Sequence, residues 1–233
     1  MFFIEYIDGR KIIKSDLITE VENFFTTRDI CIYSKEENMS ENKEKVEAYL
    51  GQKLVTNHPI HGVDIAKVVE GKSIYNDVDA LLLTKGYSGF LNFGDCVPLI
   101  LYAKGVAIIS HAGWRGTAKN MAKISVDRLL KETKCLASDI KVVIGPSICS
   151  ECYEVGKDVF NALHQTVIND KGIFNIKNNR YFVDLKGINK RQLEEKGVKL
   201  IDVCPYCTNC GEKFFYSYRY EKTGYRHSAV VKV

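Results

Sequence analysis

Apolar and polar positions follow two different periods along this chain, and the changes of period mark its elements. Leu99-Ile100-Leu101-Tyr102-Ala103 and Val106-Ala107-Ile108-Ile109-Ser110 are apolar runs of strand length on either side of Lys104-Gly105. They read as two buried strands joined by a tight turn, and therefore antiparallel. Residues 2–13 repeat the scheme around Asp8-Gly9, a hairpin signal. Residues 117–131 instead carry apolar Met121, Ile124, Leu129 and Leu130 at helical spacing, with Thr117 in the N-cap position. The polar stretch 35–45 reads as a loop opening a helix over Val46-Glu47-Ala48-Tyr49-Leu50 that stops at Gly51. Further on, the pattern predicts a strand over 140–144, a helix over about 156–168 and a strand around Tyr181-Phe182-Val183. A helix capped by Asp184, a strand over 198–203 and a terminal hairpin over 214–233 complete it. Strands and helices interspersed, with several hairpins, predict an α/β fold of α+β character. The expectation is a single domain over residues 1–233, with a mixed β-sheet flanked by helices.

Composition narrows the function classes. The apolar share of 45% suits a chain that buries a full core. The net charge is only +4, with Lys and Glu interleaved, so no basic face of the nucleic-acid-binding kind is expected. Glu5 and Asp8 break the apolar start Met1-Phe2-Phe3-Ile4, and no run approaches the ~20 apolar residues of a membrane span. The expectation is a cytoplasmic protein with no membrane partner. In that compartment the eight cysteines read as thiols or metal ligands rather than a disulfide framework.

Three groups of residues carry candidate chemistry. Cys96 precedes the first apolar strand and His111 follows the second, so antiparallel pairing puts both at one edge of the sheet. His61 sits in the turn-rich His58-Pro59-Ile60-His61-Gly62, where a side chain can be aimed inward. Imidazole and thiolate suit zinc, which in catalytic sites keeps three protein ligands and an open position. The plainer alternative is a core cysteine, a capping histidine and a surface histidine. The second group is Cys149-Ser150-Glu151-Cys152 with Cys204-Pro205-Tyr206-Cys207-Thr208-Asn209-Cys210. Paired CxxC motifs are a local metal signal, but the separation from Cys152 to Cys204 exceeds that of a zinc ribbon, so packed reduced thiols are the alternative. The third group is Arg115, Tyr153, Ser217, Arg219 and Arg226. Guanidinium forks match a phosphate or carboxylate, whereas each alone reads as surface charge, and Ser217 and Arg219 share one face if their segment is a strand. No GxxxxGK[ST], GxGxxG, HExxH or zinc cytidine deaminase signature occurs.

Ile60-His61-Gly62, Asp79-Ala80-Leu81-Leu82, Gly94-Asp95-Cys96-Val97-Pro98 and His111-Ala112-Gly113-Trp114-Arg115-Gly116 stand in a characteristic order. They are followed by Ile144-Gly145-Pro146-Ser147-Ile148, Cys152-Tyr153-Glu154-Val155-Gly156 and Phe214-Phe215-Tyr216-Ser217-Tyr218-Arg219. This set closely resembles the YfiH family, also called the polyphenol oxidase or laccase-domain family, from about Val55 to the C-terminus. The resemblance implies an α/β fold and a zinc held by His61, Cys96 and His111. It further implies phosphorolysis of adenosine, inosine and guanosine, cleavage of methylthioadenosine, and hydrolytic deamination of adenosine. Purine nucleosides and phosphate are then the expected partners. The chain departs from the family pattern at Pro59 and Gly94, and Tyr225 separates Thr223-Gly224 from Arg226. None of these is a presumed ligand.

On that reading Asp95, beside Cys96, transfers a proton or orients a ligand, and Arg115, Tyr153, Ser217 and Arg219 contact substrate. Three rivals stand beside it. Copper oxidation of phenols by the laccase route calls for on the order of ten imidazoles, against five histidines here. A Cys96–His111 hydrolase dyad would need an unmetallated thiolate. A non-enzymatic metal-binding module would favour a closed four-ligand site over an open one.

Overall fold

The computed structural model describes residues 1–233. Two large sheets and a small one account for its strands. The first sheet runs, edge to edge, Phe2–Ile7, Arg10–Ser15, Glu22–Thr26, Tyr225–Lys232, Ser88–Phe93, Leu54–His58 and Ile74–Asn76, with Tyr33–Ser34 paired beside Tyr225. The second runs Leu200–Val203, Lys141–Ile144, Val97–Ala103, Val106–Ala112, Ala80–Leu83 and Ile65–Lys67. The third is Glu154–Val155, Arg180–Val183 and Phe174–Lys177. Both large sheets mix parallel and antiparallel neighbours.

Side chains alternate across each strand, and this period decides the layering. In the second sheet Leu81, Leu83, Ile100, Ile109 and Val143 pack with Phe25, Leu91, Phe93 and Val231 of the first sheet. Their neighbours Leu82, Leu99, Leu101, Ile108 and Val142 face the other way, onto the helices Met121–Thr133 and Leu185–Glu195 through Val126, Leu129, Ile188 and Leu193. The outer face of the first sheet, with Ile12, Phe24, Phe90 and Val230, is covered by Val46 and Leu50 of the helix Ser40–Leu50. The order of layers is helix, sheet, sheet, helix. Strands buried on both faces read as unbroken apolar runs, which is why Ala80–Leu83 and Val97–Leu101 show no alternation in sequence. Each fully enclosed Leu or Ile contributes about 1.5–3 kcal/mol of burial.

The expected hairpins form: Phe2–Ile7 pairs with Arg10–Ser15, and Val97–Ala103 with Val106–Ala112. Asp8, Gly9, Lys104 and Gly105 all take positive φ, as a tight primed turn requires. The helix from Asp184 also forms, its carboxylate accepting the Gly187 N–H at 2.9 Å. Several boundaries differ from the sequence pattern. The helix expected over 117–131 is two, Trp114–Ala118 and Met121–Thr133, because Asn120 adopts the left-handed conformation between them, so Thr117 lies inside the first and caps nothing. The helix expected over 156–168 ends at His164. The terminal hairpin does not form: residues 214–217 are irregular, Tyr218–Glu221 is a short helix, and Tyr225–Lys232 inserts between Glu22–Thr26 and Ser88–Phe93. No helix is long and apolar enough to cross a membrane.

Candidate metal centre

The antiparallel register sets Pro98 opposite His111, which leaves Cys96 and His111 at the same end of the second sheet. The adjacent strand begins just after Asp79, whose carbonyl accepts the His111 N–H at 2.8 Å. Asp79 also organises the third segment: its Oδ2 accepts the Gly62 N–H at 2.7 Å, fixing the turn in which His61 holds φ 60°. The result is that one ring nitrogen from each of His61 and His111 and the Cys96 Sγ all lie within 4.8 Å of one another. The two imidazole centroids are 5.2 Å apart, and Phe93 closes on His111 edge-on at 5.2 Å.

These three groups suit a cation better than they suit each other. His111 is 5% exposed, and its Nδ1 has no hydrogen-bond partner; Asp79 Oδ1 stands 4.0 Å away, also without one. Burial, then the nearby His61, push the His111 imidazole down to about 3, so it stays neutral. Burial, then the Asp95 charge, push the Cys96 thiol up to about 12. A nucleophilic Cys–His dyad needs the reverse, a thiolate stabilised by a positive neighbour. A neutral imidazole and a thiol awaiting deprotonation are instead what a soft or borderline divalent ion takes up. Packing around the sulfur is tight: a Cβ at Gly113 would come within 2.9 Å of Cys96 Sγ.

The trio borders a cavity of about 530 Å³. Its other walls come from Tyr33 and Lys35, Asn57 and His58 at a strand end, Asn92, Gly94, Tyr218 and Arg226. Arg226 lies over the Tyr218 ring at 5.1 Å and donates from one terminal nitrogen to the carbonyls of Thr223 and Tyr225 at 2.7 and 2.6 Å. With Lys35 it makes this wall cationic. Lys35, Asn57 and Asn92 belong to no local motif, and His58 stands out in the sequence only as part of the turn-rich segment that carries His61.

The other expected site residues do not converge on this cavity. Asp95 is 8% exposed at φ 89° and accepts hydrogen bonds from Thr208 Oγ1 (2.6 Å), Ser217 Oγ (2.7 Å) and the Arg219 backbone N–H (2.7 Å). Its carboxylate thus ties the chain around 208–219 to the Cys96 loop. Ser217 is 1% exposed with its hydroxyl committed to Asp95, so it stands at the N-cap position of the Tyr218–Glu221 helix without a side-chain cap; the strand face it shares with Arg219 in the sequence reading does not exist. Tyr153 and Arg219 line a separate hollow of about 490 Å³ with Trp114 and Tyr220, the guanidinium 5.3 Å above the Tyr153 ring. Burial, then the charge of nearby Cys96, raise the Tyr153 hydroxyl. Arg115 is exposed and stacks on Trp114 at 4.4 Å. The expected arginine cluster is therefore split, and Arg226 is the one arginine at the His–Cys–His cavity.

The cysteine-rich segments also meet. Cys149, Cys152, Cys207 and Cys210 bring their sulfurs within 4.8 Å of one another, while Cys204 is enclosed elsewhere, its N–H donated to the Ile144 carbonyl.

Comparisons with known proteins agree with this architecture. A family model described as multi-copper polyphenol oxidoreductase laccase matches residues 28–232. The purine nucleoside phosphorylase YlmD of Bacillus subtilis is 30% identical over 83% of this chain and 77% of its own length. Adenosine deaminase RL5, from an unknown prokaryotic organism, is 32% identical over 64% of this chain; the match spans 60% of that relative's length. The crystal structure of the Bacillus licheniformis hypothetical protein YfiH superposes with a TM-score of 0.89 at 26% identity, covering 98% of both chains.

Proposed function

Because the chain belongs to the multi-copper polyphenol oxidoreductase laccase family, the YfiH type, we propose that it is a zinc-dependent purine nucleoside enzyme. In this reading it phosphorolyses adenosine, inosine, guanosine and methylthioadenosine to the free base and the pentose 1-phosphate, and hydrolytically deaminates adenosine to inosine. Residues 1–233 act as one cytoplasmic domain. The observation that carries the reading is the His61–Cys96–His111 trio opening onto a cavity that Lys35 and Arg226 also line. The names of the relatives, purine nucleoside phosphorylase and adenosine deaminase, supply the substrate class.

The multi-copper chemistry in the family's description does not fit the donor set. His61 and His111 belong to the trio, His58 stands on the cavity wall held by Asn76, His164 is exposed beside Asp170, and His227 is fully buried against Phe93 and Phe215 outside that ligand set. No trinuclear centre can be assembled from them, and the single three-ligand set with an open side favours zinc.

His61, Cys96 and His111 would hold the ion, with Asp79 Oδ1 standing 4.0 Å from the Nδ1 of His111. When bound, zinc supplies Lewis acidity at the cavity floor. The chain's own residues do the rest. Lys35 and Arg226 hold phosphate as an anion against the anomeric carbon in phosphorolysis, converting a bimolecular encounter into a positioned one. The Tyr218 face packs the purine, and the polar atoms of Asn57, His58 and Asn92 orient the ribose hydroxyls. Asp95 acts as a positioning residue through Thr208, Ser217 and Arg219.

Adenosine incubated with the metal-loaded protein, with and without phosphate, tests this by chromatography of the products. Adenine that requires phosphate, inosine that does not, and loss of both in Cys96→Ala are expected. Full turnover by Cys96→Ala, or none by the zinc-loaded wild type, overturns the reading.

A further inference from the structure

The proposed nucleoside chemistry leaves the second cysteine group without a role. Its four sulfurs come from two loops far apart in sequence. One loop follows the strand Lys141–Ile144 and the other follows Leu200–Val203, and these strands are parallel neighbours, so the chain after each emerges at the same edge. A bridge between Ser147 and Cys207, with the Thr208 N–H donated to the Ser147 carbonyl at 3.2 Å, brings Cys149 and Cys152 to Cys207 and Cys210. Of the two overlapping CxxC spacings in the tail, the fold selects Cys207-Thr208-Asn209-Cys210 and leaves Cys204 out.

The spacing of the sulfurs suits a single ion. All four are free thiols, with Cys149 Sγ and Cys210 Sγ 3.6 Å apart. That is far beyond the ~2.05 Å of a disulfide. A tetrahedron with metal–sulfur bonds of about 2.3 Å has edges of about 3.8 Å, so the group matches the shell of one ion. The surrounding donors point at the sulfurs: the backbone N–H groups of Cys149 and Asn209 reach Cys207 Sγ at 3.3 and 3.4 Å, and the Asn209 side-chain amide reaches Cys152 Sγ at 3.4 Å. Such donors offset the charge that four thiolates bring to one cation.

We propose that Cys149, Cys152, Cys207 and Cys210 bind one structural zinc ion in a closed tetrathiolate site, separate from the His61–Cys96–His111 centre. Its place in the fold gives it a task. Thr208, between two of the ligands, donates to Asp95, and Tyr220 donates its hydroxyl to the Cys152 carbonyl at 3.0 Å. The ion pins the two loops that carry Tyr153 and Arg219 and holds the Asp95 anchor beside Cys96.

Metal counting on protein purified under reductant without a chelating tag tests the site. About two zinc per chain are expected in the wild type and about one in Cys96→Ala and in Cys149→Ser/Cys210→Ser, as two independent sites require. Should the double variant not fold, Cys96→Ala reconstituted with cobalt decides the matter. The remaining ion then has only sulfur ligands, and the intense thiolate-to-cobalt charge-transfer and tetrahedral d–d absorption of a four-sulfur site must appear. Cobalt absorption lacking thiolate character, bound iron in place of zinc, or a mass showing a disulfide among the four cysteines overturns the proposal. A wild type with one zinc that Cys96→Ala retains, together with the four-sulfur spectrum, supports this site while refuting the zinc centre proposed above.

Discussion

Replacing Asp95 by Asn changes one atom at the junction between the Cys96 loop and the chain around 208–219, and its cost can be worked out donor by donor. The carboxylate accepts three hydrogen bonds at 2.6–2.7 Å from Thr208, Ser217 and the Arg219 N–H. An amide cannot serve all three. If its oxygen stays with the two hydroxyls, its NH2 confronts the Arg219 N–H and both donors are stranded. If it is turned over, the oxygen takes the Arg219 N–H and the NH2 donates to the hydroxyl oxygens, but the two hydroxyl hydrogens, on residues 3% and 1% exposed, lose their acceptor. Either way buried donors go unpaired and charge-assisted bonds are lost, a cost of about 2–4 kcal/mol. Asn tolerates the positive φ at this position at least as well as Asp, so backbone strain adds nothing. The assay is urea unfolding at neutral pH, comparing midpoints at constant slope. Thr208→Val provides a cycle, and the double variant is expected to lose less than the sum of the singles by about 1 kcal/mol. Nucleoside turnover should fall across the whole pH range without a change in profile shape. A variant as stable as the wild type that has lost one limb of its pH–rate profile would refute the positioning role and give Asp95 the proton transfer itself.

Three further outcomes follow from the packing. His227 is fully enclosed against Phe93 and Phe215, and burial pushes it down to about 3 from its ordinary 6.5. Below the unfolded value the unfolded chain binds a proton that the folded one refuses, so stability is lost as pH falls; relative to His227→Gln, the wild type should lose about 2 kcal/mol between pH 7 and 5, and parallel stability curves would contradict this. A Cβ at Gly145 would stand 2.3 Å from Phe25 Cε1, so Gly145→Ala is expected to cost about 2–3 kcal/mol by denaturation, partly recovered by Phe25→Leu; an unchanged midpoint would show that the ring has room to move. Gly113→Ala pushes on Cys96 Sγ, so it should weaken zinc retention about 10–100-fold in competition with a chelator while leaving the fold intact; wild-type retention would mean the sulfur is not held there.

Features with a local physical cause were legible in the sequence. Asp8-Gly9 and Lys104-Gly105 supply the positive φ of tight turns, Asp184 caps its helix, and antiparallel pairing alone brings Cys96 beside His111. Asn178-Asn179, both at positive φ, turn the hairpin Phe174–Lys177 to Arg180–Val183 by the same mechanism, and that signal was there to be read. What stayed hidden is long-range. Apolar alternation in Tyr225–Lys232 says that it is a strand, not that it pairs with Glu22–Thr26 and Ser88–Phe93. Nor does any local pattern announce that Asn57, Asn92 and Arg226 stand on neighbouring strands of the first sheet, with Lys35 just after the strand paired beside Tyr225, or that this sheet stacks on the one carrying Cys96 and His111. The arginine set is split because Arg115 and Arg219 stand on two short helices and Arg226 on a strand, and residue type carries no direction.

In the proposed function, the cavity beside His61, Cys96 and His111 transfers the pentose of a nucleoside to phosphate and releases the base. Inosine isolates it, because inosine cannot be deaminated. Phosphorus NMR of inosine and inorganic phosphate with the zinc-loaded protein should show the phosphate resonance giving way to a pentose 1-phosphate signal, in step with release of hypoxanthine and abolished by Cys96→Ala. An unchanged phosphate resonance with zinc retained, or hypoxanthine released without it, would contradict the account.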